Sequence, residues 1–252
     1  LLKELNEAQA ALNGASAAAM KSADNFYQGD ASKWRKFANS LMLRVAMRMS
    51  KVDPAAAEQW VKTAVANGVF ESDADNCMLM HAGGLTTNDS SEPYAKIYSH
   101  EDRGNFFLTE YFVDLLKSTN DPRLPLIGTV CEDPTISVQA GSDFQYGNSD
   151  PAVQKGLPSG FSDSPDSPWF VGKKYPAFKD EDYRSTYRSR YSTINRYTYS
   201  DPTGPTFVCT YAQTQLLLAE AAVRGWVDGS AQAYYENGVR AAMRQFAQFP
   251  NG

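Results

Sequence analysis

The chain has 252 residues, of which 42% are apolar, 12% aromatic and 21% charged, an ordinary globular balance with enough length to bury a sizeable core. Its 24 basic and 29 acidic residues leave a net charge of −5 with no long Lys/Arg run. That argues against a nucleic-acid partner, because displacing counterions from phosphates takes a basic face. No run of about 18 apolar residues occurs, so no transmembrane helix is expected within these residues.

In chain order, residues 3–20 are rich in Ala, Leu and Glu and read as a first helix, followed by a polar break over 24–33. Asp30 or Ser32 can cap a second helix, whose apolar positions Phe37, Ala38, Leu41, Val45, Ala46 and Met49 recur at helical spacing. Asp53-Pro54 is an N-cap followed by proline at the first helical position, and it opens a third helix through Ala57, Trp60, Val61, Ala64 and Val65 that Asn67-Gly68 stops. Residues 69–103 crowd Asp, Asn, Ser and Gly together and read as loop. A short helix is expected over 106–117, ended by the turn chemistry of Asn120-Asp121-Pro122. The stretch 123–205 is long, aromatic and rich in Gly, Pro and Ser, with short extended pieces at 124–129 and 191–199. A loop of that length in a compact domain is usually functional. Residues 207–224 are apolar almost all round, the pattern of a buried helix, and Gly225 ends it. Asp228-Gly229-Ser230 starts a last helix with Ala231, Tyr235, Val239, Ala242, Met243 and Phe246 on one face.

A shift of 175 residues lays Val52-Asp53 on Val227-Asp228, Ala46 on Ala221, Ala56 on Ala231, Trp60 on Tyr235 and Ala64 on Val239. Both pieces read as helix, Asp turn, helix, with small residues where two backbones touch and an aromatic beside them. That is the packing of a tetratricopeptide-like hairpin; convergence of two unrelated helical hairpins is the alternative.

Four blocks carry a family resemblance: the helix from Trp34-Arg35-Lys36-Phe37 to Met49, the turn Asn120-Asp121-Pro122-Arg123-Leu124-Pro125, the helix from Thr210-Tyr211-Ala212-Gln213 to Ala222, and Ala233-Tyr234-Tyr235-Glu236-Asn237-Gly238 to Met243. In this order they resemble SusD/RagB-like proteins of Bacteroidetes. The resemblance implies a mostly α fold of tetratricopeptide-like hairpins with long aromatic-rich loops. It implies one SusD-like domain over 1–252, here partial, with helical parts near 3–67, 104–118 and 207–248 and a ligand face near 69–103 and 123–205. It further implies non-catalytic binding of a glycan or other nutrient at the cell surface, delivery to a SusC-like TonB-dependent transporter, and a lipid anchor in the outer membrane placed before Leu1. Members of the family are longer, so this chain reads as a piece of its parent.

The residues suit that role. A sugar has apolar C–H faces and polar edges, and the 123–205 segment supplies flat rings with carboxylate, amide and guanidinium groups. The candidate glycan contacts are Trp169, Tyr175, Tyr183, Tyr187, Asp166 and Arg188. Pro165 and Pro168 before Trp169, and Pro176 after Tyr175, fix φ and would hold exposed rings in place at low entropic cost. The alternative for Trp169 is a plug that packs the loop onto the helix at 208–222.

Catalytic patterns are sparse. No Gly-x-Ser-x-Gly elbow or His-Glu-x-x-His occurs, and His81 and His100 are the two histidines. Asp73-Ala74-Asp75-Asn76 offers carboxylates for calcium but breaks the EF-hand pattern at Cys77 and reads as a loop after a helix. Cys77, Cys131 and Cys209 allow at most one internal disulfide, whose pairing spacing does not determine, and no Cys-x-x-Cys pair suggests zinc. The reading is therefore no enzyme, no metal and no cofactor. A two-carboxylate glycoside hydrolase and a glycan-free helical scaffold are the alternatives.

Overall fold

In a computed structural model, which describes residues 1–15, 20–83, 95, 106–130, 147–157, 159 and 191–252, the chain forms helices α1 (Leu2–Ala11), α2 (Ala31–Arg48) and α3 (Pro54–Ala66), then strand β1 (Cys77–Met80). Helices α4 (Glu110–Ser118) and α5 (Leu124–Ile127) follow, with strands β2 (Gly128–Thr129), β3 (Thr193–Ile194) and β4 (Pro205–Cys209) and helices α6 (Tyr211–Val223) and α7 (Ala231–Arg244). The architecture is mostly helical, as expected. It divides into two compact units, Leu1–Met80 with Pro205–Gln245, and His81–Gly204 with Phe246–Gly252. No helix among the described residues is long and apolar enough to cross a membrane.

Helix starts in the first unit are set by side chains that accept from free first-turn N–H groups. Asp30 accepts from Ser32 and Lys33, Asp53 from Ala56 with Pro54 behind it, Thr210 from Gln213 and Ser230 from Ala233. Gly68 and Gly225 close α3 and α6 at positive φ. Helices α2–α3 and α6–α7 form two hairpins, α1 lies against α2, and α2 packs on α6. Met42, Leu43, Ala46 and Met47 of α2, Ala57, Val61 and Ala64 of α3, and Leu218 and Ala221 of α6 make their common core with Val69 and Trp226. A second cluster gathers Tyr27, Phe70, Cys77 and Cys209, edged by Trp34, Phe37 and Tyr211.

The first unit departs from the sequence expectation in four places. α1 stops at Ala11 rather than running to 20, because the chain turns at Asn13-Gly14, where Gly14 takes positive φ. The expected loop after residue 69 contains β1, whose run Cys77-Met78-Leu79-Met80 has no β-branched residue to announce it. The strand exists because it pairs antiparallel with β4, and β4 takes residues 205–209, so α6 begins at Tyr211 rather than 207. Finally, α6 is not buried all round, since Leu216 and Val223 are exposed, and the buried positions of α7 are Gly238 and Ala241 with Tyr234 against the core, while Tyr235 and Val239 face outward.

That last correction has a simple cause. The first helices of the two hairpins end at Arg48 and Val223, 175 residues apart, and Ala46 and Ala221 are both fully buried. The second helices begin at Pro54 and Ala231, 177 apart, because residues 224–230 form a linker two residues longer than 49–53. The shift of 177 lays Val61 on Gly238 and Ala64 on Ala241, all four buried, whereas 175 lays Trp60 and Ala64 on the exposed Tyr235 and Val239.

In the second unit Thr109 caps α4 by accepting from Phe112, and residues 106–108, expected as helix, lie before it outside any helix. Leu108 there donates to the Ser192 carbonyl and accepts from Leu157. The extended piece expected at 124–129 is instead one helical turn, α5, followed by β2. β2 pairs with β3, Gly128 facing Ile194 and Thr129 facing Thr193. Val113, Leu116 and Leu124 form this unit's core with Leu108, Phe112 and Ile127. Asp121 binds Arg123 through both carboxylate oxygens, at 2.9 Å to Nε and 2.6 Å to Nη2, and also accepts from the Arg123 N–H. Asn120 takes the positive φ that the tight turn requires.

Candidate functional site

The turn that follows β3 is built around one buried amide. Asn195 donates Nδ2 to the Pro125 carbonyl at 2.9 Å and its backbone N–H to Ile127 at 2.7 Å. Its Oδ1 accepts from the Tyr197 N–H at 2.9 Å, and its carbonyl accepts from Ser200 at 2.8 Å. A side chain that bonds its own backbone two residues on fixes a turn without any regular element. Asp201 extends the same device by accepting from the N–H and the hydroxyl of Thr203 at 2.8 and 2.6 Å.

This turn presents Tyr197 and Tyr199, which are 52% and 44% exposed. Tyr199 stacks on Phe249 with ring centroids 5.1 Å apart and planes 30° apart, and on Phe246 at 6.1 Å and 28°. Asn251 donates Nδ2 to the Tyr197 carbonyl at 2.8 Å and ties the end of the chain to the turn. The product is a rigid, partly exposed aromatic surface with phenol hydroxyls beside it. Offset ring stacking preorganises such a face at little further entropic cost when a flat C–H surface settles on it. Phe246 was expected on the face of the last helix. It lies beyond Arg244, where α7 ends, and packs on a tyrosine 47 positions earlier. The spacing Phe246-x-x-Phe249 before Pro250 was the available signal, since residues three apart share one side of the 3-10 turn Gln245–Gln248 that follows α7.

Trp169, Tyr175, Tyr183, Tyr187, Asp166 and Arg188 lie outside the described residues, as do 84–94 and 96–101 of the earlier loop. Of the other rings in the aromatic segment, Tyr191 is a packing residue. It is 2% exposed, and the Lys155 ammonium sits 5.4 Å from its ring centroid. Its neighbours are equally structural: Ser192 accepts from the Lys155 N–H and donates to the Lys155 carbonyl, while Gln154 donates to the Gly128 carbonyl at 2.6 Å.

The carboxylates considered for calcium are occupied in internal bonds. Asp75 accepts from the Glu71 and Ser72 N–H groups and from Lys36 Nζ at 3.1 Å, and Lys36 also reaches Glu71 at 2.6 Å. Burial works against the Lys36 charge, but the hydrogen bonds it donates to Glu71 and Asp75 outweigh it and raise its pKa. Arg244 binds Asp73 at 2.6 Å, and Asn76 Oδ1 accepts from the Tyr211 N–H. Among the described residues no group of three His, Cys, Asp or Glu is placed to hold a metal.

Comparison with known proteins gives a family and a fold. A SusD-like family model, described as "Starch-binding associating with outer membrane", matches residues 1–251. A solved chitin-binding protein is 33% identical, with a TM-score of 0.71, over 98% of this chain and 47% of its own. A SusD-like protein from Bacteroidetes AC2a is 26% identical, with a TM-score of 0.75, over 99% of this chain and 54% of its own. A chitin-binding SusD homologue from Flavobacterium johnsoniae is 26% identical, with a TM-score of 0.68, over 98% and 43%. The chain thus spans about half the length of these relatives. Among curated proteins no match is found.

Proposed function

This chain belongs to the SusD-like family, and from that premise we propose that it is a non-catalytic receptor that holds a glycan at the outer-membrane surface and passes it to a SusC-like TonB-dependent transporter. The observation that carries the proposal is the family match over residues 1–251. The stacked surface of Tyr199, Phe246 and Phe249 beside Tyr197 supports it, because partly exposed aromatic rings on a braced turn suit pyranose C–H surfaces. Two relatives described as chitin-binding make chitin-derived polysaccharide the first ligand to test. Trp169, Tyr175, Tyr183, Tyr187, Asp166 and Arg188 are the proposed remainder of the face, and the family's lipid anchor holds the parent protein to the membrane.

The test is electrophoresis through gels containing glycol chitin or soluble starch. Retardation in one of them is expected, with Tyr199→Ala and Trp169→Ala each weakening it about tenfold, near the value of one lost aromatic contact. Tyr197→Ala gives a second reading that leaves the turn's hydrogen bonds in place, since those of Tyr197 run through its backbone. A reducing-end assay on the same mixtures is expected to show no product. Retardation by neither polymer nor any other neutral glycan, or turnover that tracks a single Asp or Glu, overturns the proposal.

A further inference from the structure

Cys77 and Cys209 are both thiols in the structure, and the ladder of the first unit sets them face to face. β1 and β4 run antiparallel with Cys77 opposite Cys209, Met78 opposite Phe207, Leu79 opposite Thr206 and Met80 opposite Pro205, so Val208 is the extra residue of a bulge beside the cysteines. Directly opposed residues in an antiparallel ladder have Cα atoms about 4.5–5.5 Å apart. Disulfide-bonded cysteines have theirs about 4.4–6.8 Å apart. Both side chains point the same way, since each is 1% exposed and each joins the cluster of Tyr27 and Phe70. The register and the shared cluster are separate observations, and together they leave the two sulfurs adjacent.

We propose that Cys77 and Cys209 form a disulfide that ties β1 to β4. The two thiols give up two protons and two electrons to a disulfide oxidant. One cysteine thiolate attacks the oxidant's S–S bond to form a mixed disulfide and expels one oxidant thiolate. The other cysteine then attacks the protein sulfur of that mixed disulfide and releases the second oxidant sulfur as a thiolate, leaving the oxidant as a dithiol. The bond forms while β4 docks on β1. Once folded, burial pushes the Cys77 thiol up and that of Cys209 to about 11, so little thiolate remains to react. The same burial then shields the finished bond from reductants.

The two cysteines flank the stretch His81–Gly204 that makes most of the second unit and carries the exposed tyrosines. A bond between them closes that stretch into one covalent loop. The inference rests on the surface location proposed above for its oxidant in the cell, and on the ladder alone for its geometry.

The test refolds reduced, denatured chain in a mixture of oxidised and reduced glutathione. Free thiols are then alkylated in denaturant and peptides mapped by mass. Linked peptides containing Cys77 and Cys209 are expected, with Cys131 alkylated. Reduction is expected to lower the melting temperature by on the order of 10 °C, and Cys77→Ser or Cys209→Ser to make melting indifferent to reductant. Alkylation of both Cys77 and Cys209 after oxidative refolding, or a link from Cys131 to either, overturns the proposal. A bond that forms in this refolding while the protein isolated from its own cells carries both thiols upholds the geometry and counts against the surface location instead.

Discussion

Asp24 shows how much one exposed turn can rest on a single carboxylate. Its Oδ1 accepts from the Phe26 and Tyr27 N–H groups at 3.0 and 3.2 Å, and its Oδ2 from the Gly29 N–H and the Trp34 indole at 2.8 Å each. Burial acts to raise its pKa, but these four donors outweigh it and hold the group down to about 2. A carboxylate depressed in the folded state contributes its stability in full above the unfolded pKa near 4, and that contribution is lost as pH falls through 2. Thermal melts of the native chain and Asp24→Asn are therefore expected to differ by about 1 kcal/mol at pH 5, once solvent screening is allowed for, and to converge towards pH 2. A gap that stays constant over that range would show that the charge is not what matters. Gly156 makes the opposite case, a residue defined by what cannot be added. A Cβ there runs into the backbone of Thr109 and Glu110 at the start of α4. Gly156→Ala is expected to cost about 3 kcal/mol in a denaturant titration, since backbone cannot swing aside. Neither residue stood out in the sequence, whereas Asp30, Asp53 and Ser230 did. A cap acts within its own turn and announces itself by local spacing, while Asp24 serves an indole ten residues on and Gly156 faces backbone 47 residues away.

The elements repeat this division between local and distant causes. Helices α2 and α3 were legible because their caps and apolar spacing are local, and β1 was not, because only β4 makes it a strand. The aromatic stack was equally hidden, since Tyr199 and Phe249 meet across 50 positions. Helix α6 was legible as a helix but not in its burial. Its apolar residues outnumber the partners available to it, so Leu218 enters the core while Leu216 lines an open surface groove with Ala219, Val223, Ala231 and Tyr235. The two leucines, two positions apart, therefore separate core from surface. Leu218→Ala is expected to lose about 2–5 kcal/mol in chemical denaturation, and Leu216→Ala about 1 kcal/mol or less. Equal losses would mean that α6 is rotated from the arrangement described here.

At the scale of the whole molecule, charge and chemistry make separable predictions about binding. The chain carries a net charge of −5, while the proposed contact surface is built on the stacked rings of Tyr199, Phe246 and Phe249 and the phenol hydroxyls beside them. Stacking and neutral hydrogen bonds gain nothing from long-range attraction, so a neutral polysaccharide is expected to bind equally well as salt rises. The Debye length contracts from about 10 Å at 0.1 M to about 3 Å at 1 M over such a titration. A sulfated or carboxylated polymer meets repulsion from the same net charge, which salt relieves. Gel retardation across that range is expected to leave the dissociation constant for a neutral glycan within about twofold, and to strengthen any residual binding of a polyanion. Binding to the neutral polymer that falls steeply with salt would place the contact on charged side chains, with Arg188 first among them, and take the leading role away from the aromatic surface.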